Sequence, residues 1–377
     1  MSSANKDNKP IVAHLIFRFD IGGLERVMVN CINAMQTDHY QHVVIALTDV
    51  SDFAQHLNDS VAVYQLNKKS GKDLASHWRL FKLLRQIKPQ ILHTYNLAAL
   101  EYHIMAKLAG VQGHIHAEHG RDNSDPQGLN KKHNFLRKAL APFIDHFVAV
   151  STDLAQWLDT TVGITQDKII LIRNGINTDD FYRQRTIQHQ ETDNTLRFIH
   201  VARLDLVKDQ ANLISAFAEL YHAKPVDQNV HLTIVGDGGQ MGQLRLLAKQ
   251  LKVIDYIEFT GARNDIAQLL AHANVFVLSS IAEGIPMTVL EAMAASLPII
   301  STNVGGLAEL ITSGENGYLV EKQNTEQLSQ AMENYVKTPA LIEQQGSAAR
   351  IFIENNFSEK NMVSEYLMLY NKSLGLQ

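Results

Sequence analysis

The sequence predicts an α/β protein built from two open parallel-sheet units in series. Three observations carry this. Short apolar runs alternate with amphipathic helical stretches along nearly the whole chain. The runs lack strict polar alternation, as strands covered on both faces do. A polar stretch interrupts the pattern near the middle. With 377 residues, 45% hydrophobic and 19% charged, the chain has ordinary globular composition and room for two domains.

In the first half the strand-like runs are residues 11–17, 42–47, 61–66, 90–95, 114–119, 146–150 and 168–172. LERVMVNCINAM (24–35) has helical periodicity, so Cys31 is expected as a buried thiol. As the single cysteine it has no internal disulfide partner. RQRTIQHQETDNT (183–195) is polar and aperiodic and reads as a linker. The pattern restarts with runs at 196–204, 231–238, 256–261, 275–280 and 298–302, and residues 359–374 read as a final helix. The expected domains are therefore 1–185 and 186–358. Ligands of open α/β sheets bind at the carboxyl ends of strands, and a cleft between two such units is a favoured place for one.

Net charge of -5 argues against a general nucleic-acid binder. The charge is uneven: residues 1–190 hold 21 Lys/Arg against 18 Asp/Glu, a surplus of three cations, whereas the remainder is acidic. The more basic half is the better candidate for an anionic surface. MSSANKDNKP at the start is polar and no apolar run reaches about 18 residues, so neither a secretory leader nor a membrane span is expected, and a cytoplasmic location follows.

Several motifs fail. GDGGQMG (236–242) has Met241 where a dinucleotide fingerprint needs glycine, which disfavours a nicotinamide dehydrogenase. No phosphate-loop G-x-x-x-x-G-K-[ST], D-x-D, G-x-S-x-G or strong metal spacing appears. His114 and His116 read as same-face strand residues rather than metal ligands.

Four clusters suggest chemistry. Glu283 and Glu291, in EGIPMTVLEAM, lie at a strand's carboxyl end and two turns into the following helix. Free amides at that helix start suit an anion, and carboxylates nearby suit sugar or ribose hydroxyls. Arg203 and Lys208, just past another strand, could neutralise a diphosphate, the first by its planar fork and the second as a point charge. Gly22 and Gly23 bridge the first strand and first helix, where glycine lets backbone approach a ligand closely. His119, ending a strand before Gly120, could donate to a sugar oxygen. Taken alone, Gly22 and Gly23 read equally as a tight turn and His119 equally as a structural histidine, and Arg203 and Lys208 read first as surface cations; the spacing of Glu283 and Glu291 favours a site over two solvated helix-face charges.

Together the four resemble the family-4 retaining glycosyltransferases of the GT-B fold, over Ile11 to about Leu374. HAEHGRD (116–122) and FVAVS (147–151) look like bacterial members that assemble exopolysaccharide, capsule or O-antigen. The resemblance implies two facing Rossmann-like domains with a deep cleft, an N-terminal acceptor domain and a C-terminal sugar-nucleotide domain. The final helix would cross back onto the first domain. It also implies that Arg203 and Lys208 meet the diphosphate, Glu291 the ribose and Glu283 the transferred sugar. Backbone near Gly261 and Arg263 would meet the base. The Met287 and Thr288 amides would meet sugar or phosphate, Gly22 and Gly23 the phosphate and acceptor, and His119 the donor sugar.

Two residues depart from the family's usual pattern. Pro286 removes one amide from the loop between the two glutamates. Ser296 replaces a frequent glycine, with only a local packing effect expected. The implied reaction is metal-independent, cofactor-free transfer with retention, from a UDP-sugar or a GDP-sugar such as GDP-mannose to a glycan or lipid-linked acceptor. A basic amphipathic segment, 129–143, carries Lys131, Lys132, Arg137 and Lys138 with Phe135, Leu136 and Leu140; by its residues alone it reads first as a solvated helix face, and a lipid-linked acceptor would favour the inner face of an anionic membrane instead. A GT-B sugar-nucleotide epimerase and a non-enzymatic two-domain binding protein are the competing readings.

Overall fold

A computed structural model describes residues 9–35, 39–122, 124–181, 195–223 and 228–376. By contacts the chain divides into two units. One holds the residues up to Asn174 together with those from Glu359; the other is Gly175–Ser358. The expected boundary at 185/186, and the expected linker up to residue 194, lie outside the described residues.

The first unit runs β1 (Ile11–Ile16), α1 (Gly23–Met35), β2 (Gln41–Ala46), β3 (Ala62–Gln65), α2 (Leu74–Ile87), β4 (Ile91–Tyr95), α3 (Asn96–Leu100), α4 (His103–Ala109), β5 (Gly113–Glu118), α5 (Lys131–Leu140), β6 (His146–Ala149), α6 (Thr152–Trp157) and β7 (Ile169–Leu171). Its parallel sheet has the order β3-β2-β1-β4-β5-β6-β7. Both faces of the central strands are covered, so β1, β4 and β5 are almost wholly buried and show no polar alternation. One core joins Leu15, Ile45 and Leu92 of the sheet to Leu80 and Leu84 of α2 and to Tyr102 and Ala106 beside and within α4. Asp73, Asn130 and Ser151 cap α2, α5 and α6 by accepting backbone N–H bonds.

The second unit runs β8 (Thr195–Val201), α7 (Gln210–Ala223), β9 (Asn229–Val235), α8 (Met241–Gln250), β10 (Ile257–Gly261), α9 (Ile266–Ala271), β11 (Val275–Leu278), α10 (Met287–Ala294), β12 (Ile299–Thr302), β13 (Gly317–Val320), α11 (Thr325–Lys337) and α12 (Ala340–Asn356). Its parallel sheet is ordered β10-β9-β8-β11-β12-β13. Phe198, Leu232, Val277 and Ile300 pack on Leu213, Phe217 and Met332 in its core. β13 is a strand the apolar pattern misses. It is only GYLV, and pairing with β12 defines it; a Cβ at Gly317 would stand 1.9 Å from the Ile299 carbonyl oxygen.

The last helix, α13 (Glu359–Ser373), belongs to the first unit. It packs on α1 and β5, with Tyr370 Oη 2.9 Å from His93 Nδ1 and Tyr40 Oη donating to Asn371 Oδ1 at 2.7 Å. No described helix is long and apolar enough to cross a membrane.

Candidate active site

In the second unit, the loops after β8 and β11 meet at the carboxyl edge of adjacent parallel strands. Lys208 Nζ lies 2.6 Å from Glu283 Oε1, both side chains being largely shielded from solvent. Ser280 Oγ donates to the same carboxylate oxygen at 2.5 Å. The two loops are also stitched through backbone: Ile281 N–H donates to the Val207 carbonyl at 2.7 Å, and Ser279 Oγ to the Lys208 carbonyl at 2.9 Å. Thr302 Oγ1 holds the Ser280 carbonyl at 2.6 Å. Sequence spacing misses Ser280 because its neighbours read as strand end and loop.

The Arg203–Lys208 loop is shaped from below. Asp205 Oδ1 accepts from the Val207 and Lys208 amides, the turn chemistry expected of an aspartate. Gln210 Nε2 donates to the Arg203 carbonyl at 2.8 Å and lies 3.2 Å from His200 Nε2. His200 Nδ1 donates to the Val277 carbonyl at 2.9 Å, which leaves Nε2 as the acceptor. Burial depresses His200 to about 4, and Lys208 adds to the effect. GDGG, rejected as a dinucleotide motif, has a packing role here. A Cβ at Gly236 or Gly238 would stand 1.9 or 2.3 Å from the carbonyl oxygens of Ala202 and Leu204. Arg203 itself is two-thirds exposed, with its guanidinium 3.6 Å from Asp205.

The second carboxylate, Glu291, is buried in α10. Pro286 occupies the position before that helix, and no side chain caps it. The Pro286 carbonyl accepts from the Val289 and Leu290 amides, which keeps the turn regular despite the missing N–H. Met287 turns its side chain into the core while Thr288 is half-exposed. The loop from Glu283 is pressed on its far side: a Cβ at Gly305 would come within 2.1 Å of the Glu283 carbonyl oxygen, and Gly306 N–H donates to the Gly284 carbonyl. Ser296 adopts φ of 57°, the left-handed region, so the residue that replaces glycine acts on backbone conformation rather than on packing alone.

Gly261 ends β10 with φ of 74° and open space around it, and its carbonyl accepts from Gly236 N–H. The Arg263 side chain is paired with Asp265 through two nitrogens.

In the first unit, Gly22 and Gly23 sit at the start of α1 with ordinary φ angles. A Cβ at Gly22 would meet the flexible end of Glu25. His119 follows β5 directly. Its N–H donates to Asn96 Oδ1 at 2.9 Å, and its two ring nitrogens are buried, neither hydrogen-bonded to a described residue. Burial lowers its pKa to about 4 against an upward pull from Glu118, so the ring is neutral near pH 7. A small cavity of about 10 Å³, lined by His119, His93, His14 and Tyr95, adjoins it and matches one water in size. Cys31 also lines this cavity, and its burial pushes the thiol up.

Two expected surface residues are misplaced. Arg137 is not part of a basic surface; it is buried, with Nε 2.6 Å from Glu118 Oε1 and its guanidinium 4.8 Å over the Trp157 ring. Leu140 is buried as well. The helical period turns these two inward, leaving Lys131, Lys132, Phe135 and Lys138 on the outer face of α5.

Two family models match end to end. Residues 21–180 match Glycosyltransferase Family 4, and residues 183–352 match Glycosyl transferases group 1. The EpsD protein of Bacillus subtilis (strain 168), whose name places it among the glycosyltransferases, is 30% identical over 312 residues, 76% of this chain and 79% of that one. The chain belongs to the family-4 glycosyltransferases.

The transferase is also 24% identical over 338 residues to the UDP-Gal:alpha-D-GlcNAc-diphosphoundecaprenol alpha-1,3-galactosyltransferase of Escherichia coli, covering 85% of this chain and 86% of that one. A solved structure of Anabaena Alr3699/HepE in complex with UDP and glucose matches with TM-score 0.81 at 19% identity, over 96% of this chain and 99% of that chain. The transferase therefore has the GT-B fold, with two Rossmann-like parallel sheets.

Proposed function

We propose that this glycosyltransferase moves a sugar from a nucleoside-diphosphate sugar to a glycan or lipid-linked acceptor during assembly of a bacterial surface polysaccharide. A UDP-sugar is the favoured donor and a GDP-sugar the second. The observation that carries the reading is the Lys208–Glu283 contact at the carboxyl edge of β8 and β11, beside the start of α10. It joins an ammonium suited to a diphosphate to a carboxylate suited to sugar hydroxyls. The name of the Escherichia coli relative, which gives UDP-Gal as donor and a diphosphoundecaprenol-linked sugar as acceptor, supports the UDP-sugar and lipid-linked assignments.

In this reading Arg203, Lys208 and the Met287 and Thr288 amides stabilise the charge that grows on the departing diphosphate, as preorganised electrostatics and without a metal. Glu283 shares Lys208 with the donor and accepts from sugar hydroxyls; Glu291 accepts from the ribose. Backbone at Gly261 and Arg263 meets the base. Gly22 and Gly23 serve the phosphate and acceptor, and neutral His119 donates to the sugar. No side chain is assigned as a nucleophile. Transfer proceeds with retention, the new glycosidic bond forming on the face the leaving group vacates while a donor phosphate oxygen takes the acceptor proton. The outer face of α5 suits the membrane surface where a lipid-linked acceptor would lie.

A thermal-shift series with UDP, GDP, ADP and their sugars tests the donor assignment, followed by donor hydrolysis with and without chelator. Stabilisation by one nucleoside diphosphate, and hydrolysis that survives chelation, are expected. No nucleotide response, or hydrolysis that chelation abolishes, would count against it.

A further inference from the structure

The outward face of α2 is an anomaly in the first unit. Its inner side is ordinary: Leu80 and Leu84 enter the core, and Ser76 shares a hydrogen bond with Tyr102. Its outer side carries Leu74, Trp78, Phe81, Lys82 and Arg85, at positions i, i+4, i+7, i+8 and i+11, which form one stripe. Leu74 is 83% exposed and Trp78 56%. Trp78 stacks on Phe81 at 5.0 Å, and Lys82 Nζ lies 5.6 Å from the indole centroid. A leucine and a tryptophan exposed one turn apart on the same helix face cost free energy unless something covers them.

The charge around this stripe is one-sided. Residues 66–90 contain Lys68, Lys69, Lys72, Arg79, Lys82, Arg85 and Lys88 against the single acid Asp73. Asp73 is already engaged: it accepts from Arg79 at 2.7 Å and from the Lys69 and Ser76 amides. Glu101, from the segment packed beside α2, faces His77 rather than the stripe. α4, which packs on α2, adds exposed Leu108 and Lys107 to the same layer.

We infer that the Leu74–Trp78–Phe81 stripe of α2, with Lys82 and Arg85, docks on an anionic lipid surface. The occupant is chosen by charge and by side-chain chemistry. Lys and Arg beside an exposed Trp are what an interfacial helix needs: the ring enters the headgroup boundary and the cations meet lipid phosphate. A second copy of the chain fits poorly, because a symmetric pairing would set Lys82 and Arg85 against their own equivalents. The inference rests on the reading of a lipid-linked acceptor, to which it adds the surface that would bring the enzyme to its acceptor.

The two tryptophans, Trp78 and Trp157, make the test direct. Trp157 is buried, with Nε1 donating to the Gly128 carbonyl, so a vesicle should report through Trp78. Full-length protein is mixed with phosphatidylglycerol-containing vesicles or with phosphatidylcholine vesicles. Emission, co-sedimentation and sedimentation velocity are followed. The expected result is a blue shift and co-sedimentation with anionic vesicles, weakened by salt. Co-sedimentation should be at least ~10-fold weaker in K82E/R85E. W78F should still sediment but lose the blue shift. Unchanged emission with anionic vesicles, equal binding by K82E/R85E, or a dimer that L74A/W78A dissolves would each overturn the proposal. Nucleotide thermal shifts on the same variants keep this outcome separate from the donor assignment.

Discussion

The ammonium of Lys208 and the carboxylate of Glu283 are 75 residues apart in sequence and 2.6 Å apart in the fold, with the Ser280 hydroxyl on the same oxygen. The pair is shielded, so each member depends on the other for charge compensation. Lys208→Ala is expected to lower kcat/KM about 10²–10³-fold, the scale of one lost oxyanion-type contact. Its stability should fall by only ~1–3 kcal/mol. Steady-state kinetics beside urea unfolding separates the two. Near-normal turnover would remove Lys208 from the reaction.

Arg137 and Glu118 form a buried ion pair in the first unit. Burial alone would raise Glu118, but Arg137 and His116 more than offset it and bring the carboxyl to about 2. Arg137→Ala leaves that carboxylate buried without its cation and also strips a stacking partner from Trp157. A loss of ~3–5 kcal/mol is expected in chemical denaturation. A midpoint within error of wild type would contradict the assignment.

Gly346 lies inside α12, where alanine normally gains about 1 kcal/mol from helix propensity. The geometry reverses the sign. A Cβ there would stand 2.1 Å from the Ser296 backbone oxygen, which cannot step aside as a side chain could. Gly346→Ala should therefore lower the melting temperature. A rise would show that α12 can move off the end of α10 at little cost.

Acid should weaken the fold before it protonates most carboxylates. Burial holds His42, His119 and His200 at about 4, below the usual histidine value. The unfolded chain therefore binds more protons between roughly pH 6.5 and 4, so stability is present above that window and falls as pH drops through it. Each group accounts for a loss on the order of 3 kcal/mol when the window is crossed. Protonating His200 also removes the acceptor facing Gln210, which holds the Arg203 carbonyl. Urea midpoints at pH 7.5, 6 and 5 should decline in that order. His200→Gln should flatten part of the decline, whereas a wild-type midpoint independent of pH would refute the account.

Much of this was legible in the chain itself. Apolar runs located twelve of the thirteen strands among the described residues to within a few residues, because strands buried on both faces need uninterrupted apolar sequence whatever their neighbours. The types and spacing of Arg203, Lys208, Glu283 and Glu291 marked them as candidates for a diphosphate and hydroxyls, since charge and hydrogen-bonding capacity belong to the residue itself, and the fold brings two of them, Lys208 and Glu283, together. Partnership does not. That Lys208 faces Glu283, that Arg137 turns inward to Glu118 while Lys138 faces solvent, and that GDGG yields to neighbouring carbonyls depended on the fold. Such contacts join residues far apart in sequence, and close packing, which local pattern does not encode, chooses among the partners that charge alone would allow.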